Sequence, residues 1–209
     1  MIAGCTAYAY AGGGYQGVYR NCTIMGNTVG EGVLVWSRGG GLYSAIAYNC
    51  TITRNVQIGA ASGFSGGGGG SASTFSNCLV SHNSAMGSGG GANTAVAFDC
   101  LAVSNFATGG CGGLSGTCTR CRILDNSATS YGGAGGGTYF NCLMVGNSTA
   151  ADRAGVMMGG LAINCTMVSN YASGEGAAIA QGTVASNCVI YYNRTAAGVN
   201  APGANYGQS

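Results

Sequence analysis

The chain has 209 residues, 46% of them apolar and only 6% charged, with 42 Gly, 11 Cys and one Pro; seven arginines against five acids leave a net charge of +2. An average domain carries roughly 25% charged residues, so a basic nucleic-acid binder is excluded, and the apolar content excludes a disordered chain. Gly without a three-residue period, and almost without Pro, excludes collagen.

In chain order, residues 1–19 read as a partial first coil, because Cys5-Thr6 looks like a repeat start and Gly12-Gly13-Gly14 follows. From Asn21 onward the pattern Asn-Cys-x-apolar-x-x-Asn recurs eight times, with Asp99 and Arg120 in place of the first Asn in two copies. Its cysteines are Cys22, Cys50, Cys78, Cys100, Cys121, Cys142, Cys165 and Cys188, at steps of 28, 28, 22, 21, 21, 23 and 23. Two residues after each stands Ile24, Ile52, Val80, Ala102, Ile123, Met144, Met167 or Ile190. Five residues after each stands Asn27, Asn55, Asn83, Asn105, Asn126, Asn147, Asn170 or Asn193. Gly-rich segments such as Gly39-Gly40-Gly41 and Gly89-Gly90-Gly91 separate the copies.

Cys and the apolar residue two places on alternate with polar neighbours, which is the period of a strand. A period of about 22 residues at ~3.3 Å per residue makes one coil of three short strands with turns. Coils stacked ~4.8 Å apart then bond to one another in parallel. The fold expected is all-β: a right-handed parallel β-helix of about eight to nine coils, forming a single domain over residues 1–209 with a C-terminal tail from 194 to 209.

Each column acquires a role. The eight cysteines and their apolar partners point inward, the cysteines as small, buried hydrophobes. The eight asparagines end a strand in the left-handed conformation and stack their amides from coil to coil. The glycine runs suit a thin face where backbones crowd. The longer first two intervals are expected to be surface loops. Cys111 and Cys118 flank a Gly-Gly-Leu-Ser-Gly loop and are candidates for a local disulfide.

The pattern Cys-x-Ile-x-x-Asn followed by Gly-Gly-Gly, as in Cys22-Thr23-Ile24 to Asn27 or Cys78 to Asn83 with Gly89-Gly90-Gly91, resembles the β-helix repeats of bacterial surface proteins. It is similar to the repeats of chlamydial polymorphic outer-membrane proteins and other autotransporter passengers. The resemblance runs from about Gly12 to Asn193 and implies a right-handed parallel β-helix displayed at a cell surface. No autotransporter barrel follows it, and no Phe precedes the terminal Asn.

Catalytic chemistry is thin. Glu31, Asp99, Asp125, Asp152 and Glu175 occupy separate coils, and no two share a column in adjacent coils, whereas polysaccharide cleavage needs paired carboxylates. His82 is the one His, with no nucleophile marked beside it. Cys118-x-x-Cys121 has no second pair and no His to complete a zinc site. No stretch reaches the ~18 apolar residues of a membrane span, and no leader peptide is visible at the start. Sequons occur at Asn21, Asn49, Asn147, Asn164 and Asn193; the three Asn-Cys-Thr cases are expected within strands.

The expectation is therefore a non-enzymatic structural protein without cofactor or metal, extracellular or at the cell surface. It would be a β-helical subunit that assembles with itself into a fibre, and the alternative is a segment of an adhesin passenger with an unknown cell-surface or glycan ligand. No capping segment is visible at either end, and Tyr8, Tyr10, Tyr191 and Tyr192 are candidate axial contacts.

Overall fold

The computed structural model describes residues 1–30, 37–59, 66–150, 154–174, 176–199 and 205. Glu31, Asp152, Glu175 and the residues 31–36 and 60–65, which lengthen the second and third coils, lie outside the described residues.

The chain winds into a parallel β-solenoid of about eight turns, with no helix among the described residues. Three sheets run its length. The first has nine strands, from Ile2–Ala3 to Val189–Tyr191; the eight from the repeats each begin one residue after a cysteine, and Ile2 of the first pairs with Ile24. The second runs from Thr6–Ala7 to Arg194–Thr195, and the third holds the longer strands, such as Ala92–Phe98 and Ile179–Ser186. Neighbours in every sheet come from successive coils and pair in parallel, apart from the last pair of the second sheet. The repeat is in register throughout: Ile24 faces Ile52, then Val80, Ala102, Ile123, Met144, Met167 and Ile190.

That register makes the core. Ile24, Ile52, Val80, Ala102, Ile123, Met144 and Met167 are all fully buried. Facing them from the third sheet are Ala47, Phe75, Ala97, Cys118, Tyr139 and Ala162, also fully buried. Burying one large side chain of this kind contributes about 1.5–3 kcal/mol, so a column of seven is a main support of the fold. Tyr139 brings a hydroxyl into the core and spends it on the carbonyls of Leu114 (2.9 Å) and Gly135 (3.2 Å).

The glycine pairs make the section thin. A Cβ on Gly41, Gly69, Gly91 or Gly113 would meet the side chain of Asn55, Asn83, Asn105 or Asn126 at 3.3 Å or less. A Cβ on the preceding glycine fares worse: at Gly90 it would lie 2.3 Å from the Phe106 carbonyl oxygen. The requirement is close approach rather than positive φ, which these pairs do not adopt.

Three expectations are corrected. Ile2 pairs with Ile24 and Thr6 with Thr28, so Cys5 stands in the asparagine column opposite Asn27 and starts no repeat. The left-handed corner lies one residue before the ladder asparagine, at Gly26, Arg54, His82, Ser104, Asp125, Gly146, Ser169 and Tyr192. The asparagine itself does not adopt that conformation. Finally, the segment after Asn193 is no free tail over its described part. Arg194–Thr195 turns back on Gly198–Val199 as an antiparallel pair, which covers the end of the second sheet.

Candidate functional site

The asparagine ladder is continuous. From Asn55 onward each Asn Oδ1 accepts two hydrogen bonds from the asparagine one coil earlier, one from its backbone N–H and one from its Nδ2, while Asn27 Oδ1 accepts the Cys5 N–H at 3.0 Å. From Asn27 to Asn193 the side-chain links measure 2.9–3.1 Å. The remaining Nδ2 hydrogen goes to the carbonyl of the core column one coil back, as from Asn126 to Ala102 (3.1 Å). Buried amides are thus fully answered, which is what makes their burial tolerable. Asn205 closes the ladder by accepting from Asn193 Nδ2 at 2.9 Å. No repeat signature marks Asn205, so sequence reasoning missed it.

A second ladder runs outside the first. The residues just before the cysteines, Asn21, Asn49, Asn77, Asp99, Arg120, Asn141, Asn164 and Asn187, all adopt positive φ and are exposed. Asn49 donates to Asn21, Asn77 to Asn49 and Asn187 to Asn164. Arg120 and Asp99 replace two amides with a bidentate ion pair (2.7 and 2.8 Å), whose hydrogen bonds hold the Asp99 carboxyl below its ordinary range. The Asn-Cys-Thr sequons therefore sit at exposed corners and not within strands, while the sequon asparagines Asn147 and Asn193 are buried in the inner ladder.

The cysteine column is a column of free thiols. Cys50, Cys78, Cys100, Cys121, Cys142 and Cys165 are buried; Cys22 and Cys188, in outer coils, are half-buried. Each sulfur answers backbone groups: Cys50 Sγ contacts the Tyr48 carbonyl (3.2 Å) and accepts the Cys22 N–H (3.4 Å). The same exchange links Cys50 to Cys78, Cys78 to Cys100 and Cys165 to Cys188. A thiol fits here because it is small, apolar and still able to take a weak hydrogen bond.

Cys111 and Cys118 are also free and buried, so the bridge considered between them is absent. Cys118 is an inward residue of the third sheet, paired with Ala97 and Tyr139. Burial pushes the Cys111 thiol up to about 12. Cys118 rises well above the ordinary thiol value through its hydrogen bond with Cys121 and through burial.

The tyrosines divide. Tyr8 stands 74% exposed. Tyr10 instead packs against Tyr15 (ring centroids 5.2 Å) and Tyr43 (5.9 Å). Arg38 lies over the Tyr43 ring and donates to its hydroxyl at 2.7 Å. At the other end Tyr191 and Tyr192 meet edge to face at 4.9 Å, both exposed. Tyr192 also lines a cavity of about 210 Å³ with Ser169, Tyr171 and Arg194.

Elsewhere His82 occupies an exposed corner, and Asp125 lies in a different column from Asp99. Among the described residues no three His, Cys, Asp or Glu side chains gather as metal ligands. A second cavity of about 160 Å³ opens on the side of the solenoid between Ser88, Asn93, Ser115 and Tyr131. No family model, no curated protein and no solved structure matches this chain.

Proposed function

We propose that the chain is a non-enzymatic structural solenoid of an extracellular or cell-surface fibre, extended along its axis by end-to-end association with further copies. The observation that carries this reading is the character of the two ends. Among the described residues, fifteen large apolar side chains are exposed, and ten of them belong to the first and last coils. Met1, Tyr8, Tyr10, Tyr15 and Val18 lie at one end, and Val184, Val189, Tyr191, Tyr192 and Val199 at the other. The outermost strands of the first sheet and the first strands of the third have no strand beyond them among the described residues, while the last strand of the third is met at Ile179, whose N–H donates to the Asn205 carbonyl at 3.2 Å. An unpaired strand edge is a template for another chain, and a head-to-tail contact that does not close gives a filament. At the C-terminal end the antiparallel turn at Gly198–Val199 covers the second sheet and Asn205 meets the third at Ile179, so axial contact there would use the first sheet and the exposed part of the third at Val184.

The second reading, a segment of an adhesin passenger, draws on the first coil's keeping the repeat register, with Ile2 against Ile24. The same edges accept a further coil of a longer chain. Negative-stain electron microscopy at rising protein concentration separates the two. Fibres of uniform width that persist in reductant, and that are lost in Val184→Lys/Val189→Lys, support self-assembly. Isolated short rods at every concentration refute it and leave the passenger reading.

A further inference from the structure

We propose that the lateral cavity between Ser88, Asn93, Ser115 and Tyr131 is a binding site for one uncharged sugar ring. The inference is independent of the fibre reading, since the cavity lies on the side of the solenoid and not at its ends.

The recess has a structural cause. In each of these coils the Gly-Gly pair pulls the backbone inward: a Cβ on Gly112 would lie 2.2 Å from the Ser127 carbonyl oxygen, and one on Gly113 would lie 3.1 Å from Asn126 Nδ2. The chain before and after the pair stands proud and forms two walls. Three successive coils contribute. Ser88 and Asn93 come from one, Gly109, Gly110 and Ser115 from the next, and Tyr131, Gly135 and Gly136 from the third. Register holds them level, with Ala92 opposite Leu114, Leu114 opposite Ala134, and Cys111 opposite Tyr131. The four glycines leave the space open where a side chain would fill it.

The volume is about 160 Å³, close to the ~150 Å³ that admits a single six-membered ring. The lining decides the chemistry. Ser88, Asn93, Ser115 and Tyr131 are half-buried, and none of their side-chain polar atoms makes a hydrogen bond to another described residue. Two hydroxyls, a carboxamide and a phenol thus aim unspent donors and acceptors at one space. Each can both give and accept, as each hydroxyl of a sugar does. Tyr131 adds a ring face for the C–H side of a pyranose. No lining residue is charged, so a uronate, a phosphate or a sulfated sugar would meet no counter-charge while losing its water.

The test is an amide-shift titration of the ¹⁵N-labelled full chain with glucose, galactose, mannose and N-acetylglucosamine, each also as its methyl glycoside. At least one should give saturable shifts confined to the lining residues, Gly109, Gly110, Gly135 and Gly136 among them. Binding of a methyl glycoside assigns the site to sugars within a glycan; binding of the free sugar alone assigns it to free sugars. Either result upholds the proposal. Gly135→Leu crowds the recess, since a Cβ there would lie 3.3 Å from the Ser115 Cβ and Oγ and 3.5 Å from the Cys111 Sγ, all lining atoms, and φ is not positive. This variant should lose binding at least tenfold while the ladder amides keep their shifts. Asn93→Ala should weaken binding about tenfold, the loss of one good hydrogen bond. The proposal is overturned if none of the eight compounds gives saturable shifts at the lining, or if Gly135→Leu binds as well as the parent chain.

Discussion

Replacing Asn126 by Ala cuts the inner ladder at its middle, and the cost follows from the bonds removed. Asn126 Oδ1 accepts the Asn105 backbone N–H at 3.0 Å and Asn105 Nδ2 at 2.9 Å, and Asn126 Nδ2 donates to Ala102 and to Asn147 Oδ1. In the alanine variant the Asn105 N–H has no acceptor. Asn105 Nδ2 keeps only its bond to Val80. Two buried donors left unanswered cost about 1–3 kcal/mol each, so the loss should be about 2–6 kcal/mol. Against a total stability of about 5–15 kcal/mol, that is a large share. Asn77→Ala in the outer ladder is the control. Asn77 is exposed, so water replaces its side-chain bond, and the loss should be about 1 kcal/mol, set by placing Ala at a φ of +51°. Urea unfolding followed by circular dichroism measures both. A loss below about 1 kcal/mol for Asn126→Ala, or equal losses for the two variants, would refute the account of the ladder as an obligatory buried network.

Three further outcomes follow. On native protein at pH 8, iodoacetamide with mass spectrometry should modify the exposed Cys5 first and the six buried ladder thiols only after unfolding; Cys100 or Cys121 reacting as fast as Cys5 would contradict the buried column. Alkaline pH should destabilise the fold. The Cys111 thiol titrates near 9.0 when unfolded and at about 12 when folded, so its contribution is complete below pH 9 and lost as pH rises to 12. Three pK units amount to about 4 kcal/mol, and burial of Tyr139 acts in the same direction. A urea midpoint that stays flat from pH 8 to 11 in reductant would count against this. Gly90→Ala, with its Cβ 2.3 Å from a backbone oxygen, should cost about 1–3 kcal/mol or prevent folding. Gly26→Ala, with nothing within 4 Å but φ at +62°, should cost only about 1 kcal/mol by thermal melting.

The sequence alone determined the solenoid, because every coil repeats the same contacts. A column such as Ile24, Ile52 and Val80 is visible as a spacing before it is visible as a core. The inner amide ladder was legible for the same reason. Where the repeat breaks, legibility ends. Cys5 looked like a repeat start because of its neighbour Thr6, and only strand register moved it opposite Asn27. The corner falls one residue before the ladder asparagine, on side chains as varied as Gly26, Arg54, His82 and Asp125, so no residue type along the chain marks it. Asn205 joins the ladder from a segment with no repeat at all. The lateral cavity depended wholly on tertiary structure. Ser88, Asn93, Ser115 and Tyr131 form no motif along the chain, and they meet only because stacking brings three coils level and the glycine pairs draw the wall inward. Repetition writes the core into the sequence, whereas a site made by neighbouring coils exists only once the coils are stacked.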